Sequence, residues 1–121
     1  MEGIEVDMKK ISLVIPMYYE EQVVEECYNR VTKVLKEIQD YEYEIIFIND
    51  GSKDNTLDIL ERIAKIDNNV KVISFSRNFG HQAAVTAGLK YVTGDVIVIM
   101  DADLQDPPEL IPDMLKEWEK G

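Results

Sequence analysis

Four short apolar runs punctuate the chain, at residues 11–16, 43–49, 70–75 and 95–100. Each is rich in Ile or Val and shows little alternation of apolar and polar positions. Continuous β-branched runs of this length are expected of strands covered on both faces, as in a parallel sheet. Between and after them the period lengthens to that of a helix. Over residues 20–39, Val23, Cys27, Val31, Leu35 and Ile38 fall on one helical face. Residues 55–66 form a second pattern, with Asp54 as N-cap and Leu60 and Ile63 inward. Residues 80–91 form a third, whose inner face of Ala84, Ala87, Gly88 and Tyr91 predicts close packing on the sheet. Residues 107–119 form a fourth, with Asp106 as N-cap and Pro107 at the first helical position. Its stripe reads Leu110, Ile111, Met114, Leu115 and Trp118.

The order β-α-β-α-β-α-β-α implies right-handed crossovers and an α/β fold, Rossmann-like, with four parallel strands and alternating helices. Residues 1–10 are polar and expected to be loose, leaving residues 11–121 as the folded unit. No closing strand follows the last helix, a pattern expected of half of a larger domain.

Composition narrows the partners. Thirteen Lys plus Arg against 24 Asp plus Glu give a formal charge of −11. That argues against duplex nucleic acid or anionic lipid as the main partner, since both need clustered positive charge. A single cysteine, Cys27, allows no internal disulfide and points to a reducing, cytoplasmic setting. No apolar stretch approaches the length of a membrane span.

In a parallel α/β sheet, ligands sit beyond the carboxyl ends of the strands. Polar residues follow every strand there, and turn chemistry accounts for part of them. After the fourth come Asp101 and Asp103, two carboxylates that repel unless a cation joins them. Hard oxygen ligands suit Mg²⁺ or Mn²⁺, and Gln105 can add a carbonyl oxygen. A solvated acidic turn is the alternative. After the second strand comes Asp50-Gly51-Ser52, able to accept from a nucleoside base or ribose, or to serve only as a turn. After the first come Pro16, which stops the strand, Tyr18, a flat ring for a base, and Glu20, an acceptor for a base N–H or a favourable charge in a helix's first turn. After the third, Arg77 is one of few cations near this edge and can meet a phosphate or pair with a carboxylate. His81 opens a helix, in a proton-transfer or a structural role. Cys27, on the inward stripe, reads as core.

Together the strings Val14-Ile15-Pro16-Met17-Tyr18-Tyr19-Glu20, Asn49-Asp50-Gly51-Ser52, Ser76-Arg77-Asn78-Phe79-Gly80-His81 and Asp101-Ala102-Asp103-Leu104-Gln105-Asp106-Pro107-Pro108-Glu109 resemble an inverting family 2 glycosyltransferase of the GT-A fold. The polyprenyl-phosphate branch, with dolichol-phosphate mannose synthase and bactoprenol glucosyltransferases, is the most similar. The resemblance spans residues 11–119 and implies the nucleotide-binding part of the domain.

It implies that Pro16, Tyr18 and Glu20 line the nucleoside pocket and that Asp50 meets base or ribose. Asp101, Ala102 and Asp103 would face the ribose and diphosphate, with Asp101 and Asp103 the candidate catalytic pair. Asp103 and Gln105 would lie most directly on the metal. Tyr19 stands where the family usually has Asn, with a small expected effect on the pocket. The family's domain normally continues beyond this length and supplies the acceptor site. The implied partners are a UDP- or GDP-sugar and, in a longer protein at the cytoplasmic membrane face, a lipid phosphate. An exposed sheet edge suggests self-association. The alternatives are a non-catalytic nucleotide-binding fragment and a phospho-receiver domain, which would need a phospho-acceptor Asp after the third strand.

Overall fold

The computed structural model describes residues 8–103, 105 and 107–121. Its elements alternate as expected: β1 (Lys9–Met17), α1 (Val24–Glu37), β2 (Tyr41–Asn49), α2 (Thr56–Ile66), β3 (Val70–Ser74), α3 (His81–Leu89) and β4 (Val96–Ile99). A 3-10 turn at Pro108–Leu110 leads into α4 (Ile111–Glu119). All pairings are parallel, and the strand order is β3-β2-β1-β4.

That order follows from handedness. Stepping from β1 to β2 to β3 in one direction, right-handed crossovers lay α1 and α2 on one face. The step from β3 back past β1 reverses direction and carries α3 over the other face. Leu13, Ile15, Phe47 and Val98 therefore join Cys27, Val31, Leu60, Ile111 and Leu115 in the larger core. Val14, Ile46 and Ile48 meet Ala84 in the smaller one. Gly88 brings α3 close to the sheet, because a Cβ there would lie 2.7 Å from Val14 and 2.8 Å from Ile48.

Several boundaries differ from the sequence expectation. β1 and β2 begin two residues before their apolar runs, because Lys9 and Lys10 pair with Tyr41 and Glu42 through backbone alone. The segment expected to be loose thus loses at least Lys9 and Lys10, and residues 1–7 lie outside the described residues. α1 starts at Val24, since the N–H groups of Val23 and Val24 both turn back to the Glu20 carbonyl. Pro107 is extended and precedes the 3-10 turn rather than opening a helix. The cap assigned to Asp106 lies outside the described residues.

Coverage on both faces holds for β1 and β2 but not for β4. There Val96 and Val98 are buried, while Ile97 and Ile99 are 46% and 47% exposed. The cause is that α3 packs on β1 and β2, and among the described residues nothing covers its side of β4. α4 is likewise divided. Ile111 and Leu115 are buried, whereas Leu110, Met114 and Trp118 form an outward stripe.

Candidate functional site

The direction of the chain reverses between β1 and β4, and in open α/β sheets ligands bind at such a switch point. A cleft of about 450 Å³ opens there, at the carboxyl ends of the strands. Of the residues expected at the site, Pro16, Tyr18, Glu20, Asp50, Asp101, Ala102 and Asp103 line it. A slightly larger hollow, about 530 Å³, lies between α4 and the C-terminal end of α1, at the amino ends of the strands, away from these groups.

β1 builds the first wall. The carbonyl of Val14 faces β4 and that of Met17 faces β2, as their bonds to Met100 and Asp50 show. Pro16 therefore turns its nitrogen to the β4 side, two residues beyond the last β1–β4 pair, Val14 with Ile99. Its missing N–H costs no ladder bond. Tyr18 is half exposed and meets Tyr19 edge-on, with ring centroids 4.7 Å apart. Tyr19 stands at φ 54°, a left-handed conformation that Asn adopts more readily than Tyr. The turn is tied to the second loop: Tyr19 N–H donates to Ser52 Oγ at 2.9 Å, and Glu20 N–H to Thr56 Oγ1 at 3.0 Å.

The second and third loops interlock. Gly51 has φ 77°, and a Cβ there would lie 2.1 Å from the carbonyl carbon of Arg77. Only glycine lets the two backbones approach this closely. Asp50 is 3% exposed and accepts hydrogen bonds from Asn78, Phe79 and Gly80. Asn78, Gly80 and His81 also line the cleft, as does Met17. Asn78, Gly80 and Met17 were not among the sequence candidates; the Asn-Phe-Gly turn beside Asp50-Gly51 was the available signal.

Arg77 departs from expectation. It does not line the cleft, and its guanidinium lies 4.6 Å from the centre of the Phe79 ring. Among the described residues it forms no ion pair, and stacking on an aromatic face is attractive to a guanidinium.

The fourth loop carries the carboxylates. Met100 N–H donates to the Val14 carbonyl, and beyond it Asp101 and Asp103 emerge exposed. Asp101 Oδ1 lies 3.1 Å from His81 Nε2. Asp103 Oδ1 accepts from the Gln105 N–H at 3.2 Å. Gln105 itself is exposed and does not line the cleft. Burial, and then the charges of Asp103, Asp54 and Asp101, push the Glu20 carboxyl above its ordinary value. The cleft is thus negative on its own.

Among the described residues, no three of His, Cys, Asp and Glu converge as a metal cage. Ions such as Mg²⁺ are held instead by one or two carboxylates together with substrate phosphates. Asp101 and Asp103, on one cleft beside a repelled Glu20, fit that kind of site. The loop after β3 carries Ser76 and Arg77 rather than an aspartate, which removes the phospho-receiver reading.

The family model "Glycosyl transferase family 2" matches residues 12–121. A Bacillus subtilis relative, "Uncharacterized glycosyltransferase YkcC", is 52% identical over 110 residues, which are 91% of this chain and 34% of that protein. An Escherichia coli relative, "Prophage bactoprenol glucosyl transferase homolog", is 47% identical over 112 residues, 93% of this chain and 36% of the relative. Among solved structures, the mannosyltransferase PcManGT from Pyrobaculum calidifontis, in complex with GDP-Man and Mn²⁺, shares the fold with a TM-score of 0.76 at 21% identity, over 90% of this chain and 32% of that one. TarS of S. aureus in complex with UDP-GlcNAc has a TM-score of 0.67 at 26% identity, over 86% of this chain and 31% of that one. The chain thus spans about a third of the length of the relatives it matches. Its sheet is that of the GT-A glycosyltransferases, and from Ser12 to Gly121 it belongs to glycosyl transferase family 2.

Proposed function

We propose that this chain is the donor-binding part of an inverting glycosyltransferase that moves a sugar from a UDP- or GDP-sugar to a polyprenyl phosphate. The observation that carries the reading is the crowding of Glu20, Asp101 and Asp103 at the switch-point cleft, where a pyrophosphate-bound cation would relieve their repulsion. The bound ligands named for PcManGT and TarS, and the name of the E. coli relative, support the donor and acceptor classes.

In this reading Tyr18 stacks on the base, while Pro16 and Glu20 shape the nucleoside pocket. Asp101 and Asp103 hold Mg²⁺ or Mn²⁺, with Gln105 acting through its N–H on Asp103. Ala102 lines the cleft between these two aspartates, 3% exposed, on the diphosphate side. When bound, the cation neutralises charge growing on the departing nucleoside diphosphate. The acceptor attacks the anomeric carbon from the opposite face and inverts it. A lipid phosphate, with a second pKa of about 6 by analogy with phosphorylated side chains, is already anionic and needs no strong base. Such an acceptor places the chemistry at a membrane surface. Among the described residues no helix is long and apolar enough to cross a membrane.

Calorimetric titration of the chain with UDP and with GDP, in MnCl₂ or in excess EDTA, tests this. Binding of at least one nucleotide is expected with Mn²⁺ and not in EDTA. Equal affinity in EDTA overturns the metal assignment. Indifference to both nucleotides in both buffers leaves the reading of a non-catalytic fragment.

A further inference from the structure

We infer that Asp50 is a positioning residue whose carboxylate holds residues 78–80 as one wall of the cleft. Asp50 lies on the floor of a polar cleft yet is 3% exposed. A carboxylate that far from water must be met by donors. All of them come from one segment. Phe79 N–H donates to Oδ1 at 2.8 Å, and Gly80 N–H to Oδ2 at 3.0 Å. Asn78 Nδ2 reaches Oδ2 at 3.0 Å and the Asp50 carbonyl at 3.3 Å. An ionised carboxylate offers about four acceptor directions, so roughly one remains for a ligand.

Apart from Asp50, the segment is held mainly through the Phe79 ring, which meets Phe75 edge-on at 5.5 Å and carries the Arg77 guanidinium. Phe79 is half exposed, and nothing lies within 4 Å of where a Gly80 side chain would begin. Gly80 has φ 99°, a conformation that imposes no shape of its own on a glycine. The shape is imposed from below, by Asp50 and by the tight seat of Gly51 under residues 77 and 78. The consequence reaches the opposite wall, because Gly80 is followed by His81, whose ring meets Asp101. Asp50 thereby sets the distance between the third and fourth loops, whatever its one remaining acceptor direction meets between them. This effect on nucleotide binding rests on the donor-cleft reading; the clasp itself does not.

Amide hydrogen exchange by NMR on the ligand-free chain, with UDP and MnCl₂ titrations alongside, tests both parts. In Asp50→Asn, the Phe79 and Gly80 amides should exchange about tenfold faster, as expected for loss of one charge-assisted bond. Amides in the β1–β2 ladder should stay within about twofold, and UDP–Mn²⁺ affinity should fall about tenfold. Asn78→Ala, which keeps both backbone bonds to Asp50, should produce a smaller acceleration at the same two amides. It decides the clasp should Asp50→Asn fail to fold. Unchanged exchange at Phe79 and Gly80 overturns the proposal. So does equal acceleration throughout the sheet, which would make Asp50 a stabiliser of the whole fold. Local loosening with unaltered UDP–Mn²⁺ affinity overturns the positioning role. A native chain that binds neither UDP nor GDP defeats the donor reading instead, and the exchange result still decides the clasp.

Discussion

The two ends of the sheet use carboxylates in opposite ways. At the amino end, Glu44 of β2 is 2% exposed and draws in every strand. Its Oε2 accepts from Ser12 Oγ of β1 at 2.6 Å and from the Thr93 N–H, just before β4, at 2.7 Å. Its Oε1 forms an ion pair with Lys71 of β3 at 2.7 Å, without the alignment of a hydrogen bond, and lies 3.8 Å from Lys10. Burial alone would raise this carboxyl. Lys71, Ser12 and Thr93 outweigh it and hold the group at about 2. At the carboxyl end, Glu20 is pushed up by burial first and then by the charges of Asp103, Asp54 and Asp101, with no donor among the described residues to offset them. A carboxylate already met by donors belongs to the fold. Carboxylates set against each other gain nothing from the fold, which is the contrast the proposed function rests on.

Removing a carboxylate should therefore change stability with opposite signs at the two ends. The largest effect is expected for Glu44→Gln, which should lose roughly 2–3 kcal/mol at pH 7, discounted for the half-exposed Lys71. Because the folded value is depressed, that stability is fully present above the ordinary value of 4.5 and is lost as pH falls toward about 2. Urea unfolding of both chains across this range measures it. Equal midpoints at pH 7 would erase the contrast between the two ends. Next, Asp103→Ala should weaken UDP–Mn²⁺ binding by at least about tenfold, or 1.4 kcal/mol, without loss of stability. Unchanged affinity in calorimetry would return Asp103 to a turn role. Smallest is Glu20→Gln, expected to stabilise the ligand-free chain by a few tenths of a kcal/mol near pH 7, since it removes a repelled charge. A lower urea midpoint for that variant would mean that Glu20 has a partner in the fold.

Much of this architecture is legible in the chain because the physics is local. The runs in β1 and β2 are broken only by Ser12 and Glu44, which bond to each other, and both strands are central. Cys27, Val31 and Leu35 sit at helical spacing and are buried as that spacing requires. Where reading failed, the deciding partner lay elsewhere. The four residues of β4 are all apolar, so nothing in them distinguishes a covered face from an open one. On α4, Ile111, Met114, Leu115 and Trp118 share one helical face, so periodicity does not choose among them, and packing buries only Ile111 and Leu115. Arg77 reads equally as a phosphate ligand or a carboxylate's partner because cations are scarce at that edge, and its guanidinium sits over the ring two residues on. Asp50 was legible as a polar group at a strand end. That its oxygens are taken up by a loop about thirty residues later is a tertiary fact, invisible to spacing.

The reversal between β1 and β4 also bears on how the molecule comes together. Lys10 and Asp95, joined where these strands meet, are 85 residues apart in sequence, whereas β1 and β2 are separated by a single helix. Closing so long a span is entropically the most demanding step of assembly. The switch-point cleft has no existence until that step is done, so a chain arrested with its first three strands paired would be structured yet, under the proposed function, unable to take a donor. Any ligand that the proposed function brings to this cleft would reward only the finished topology and draw late intermediates toward completion by mass action.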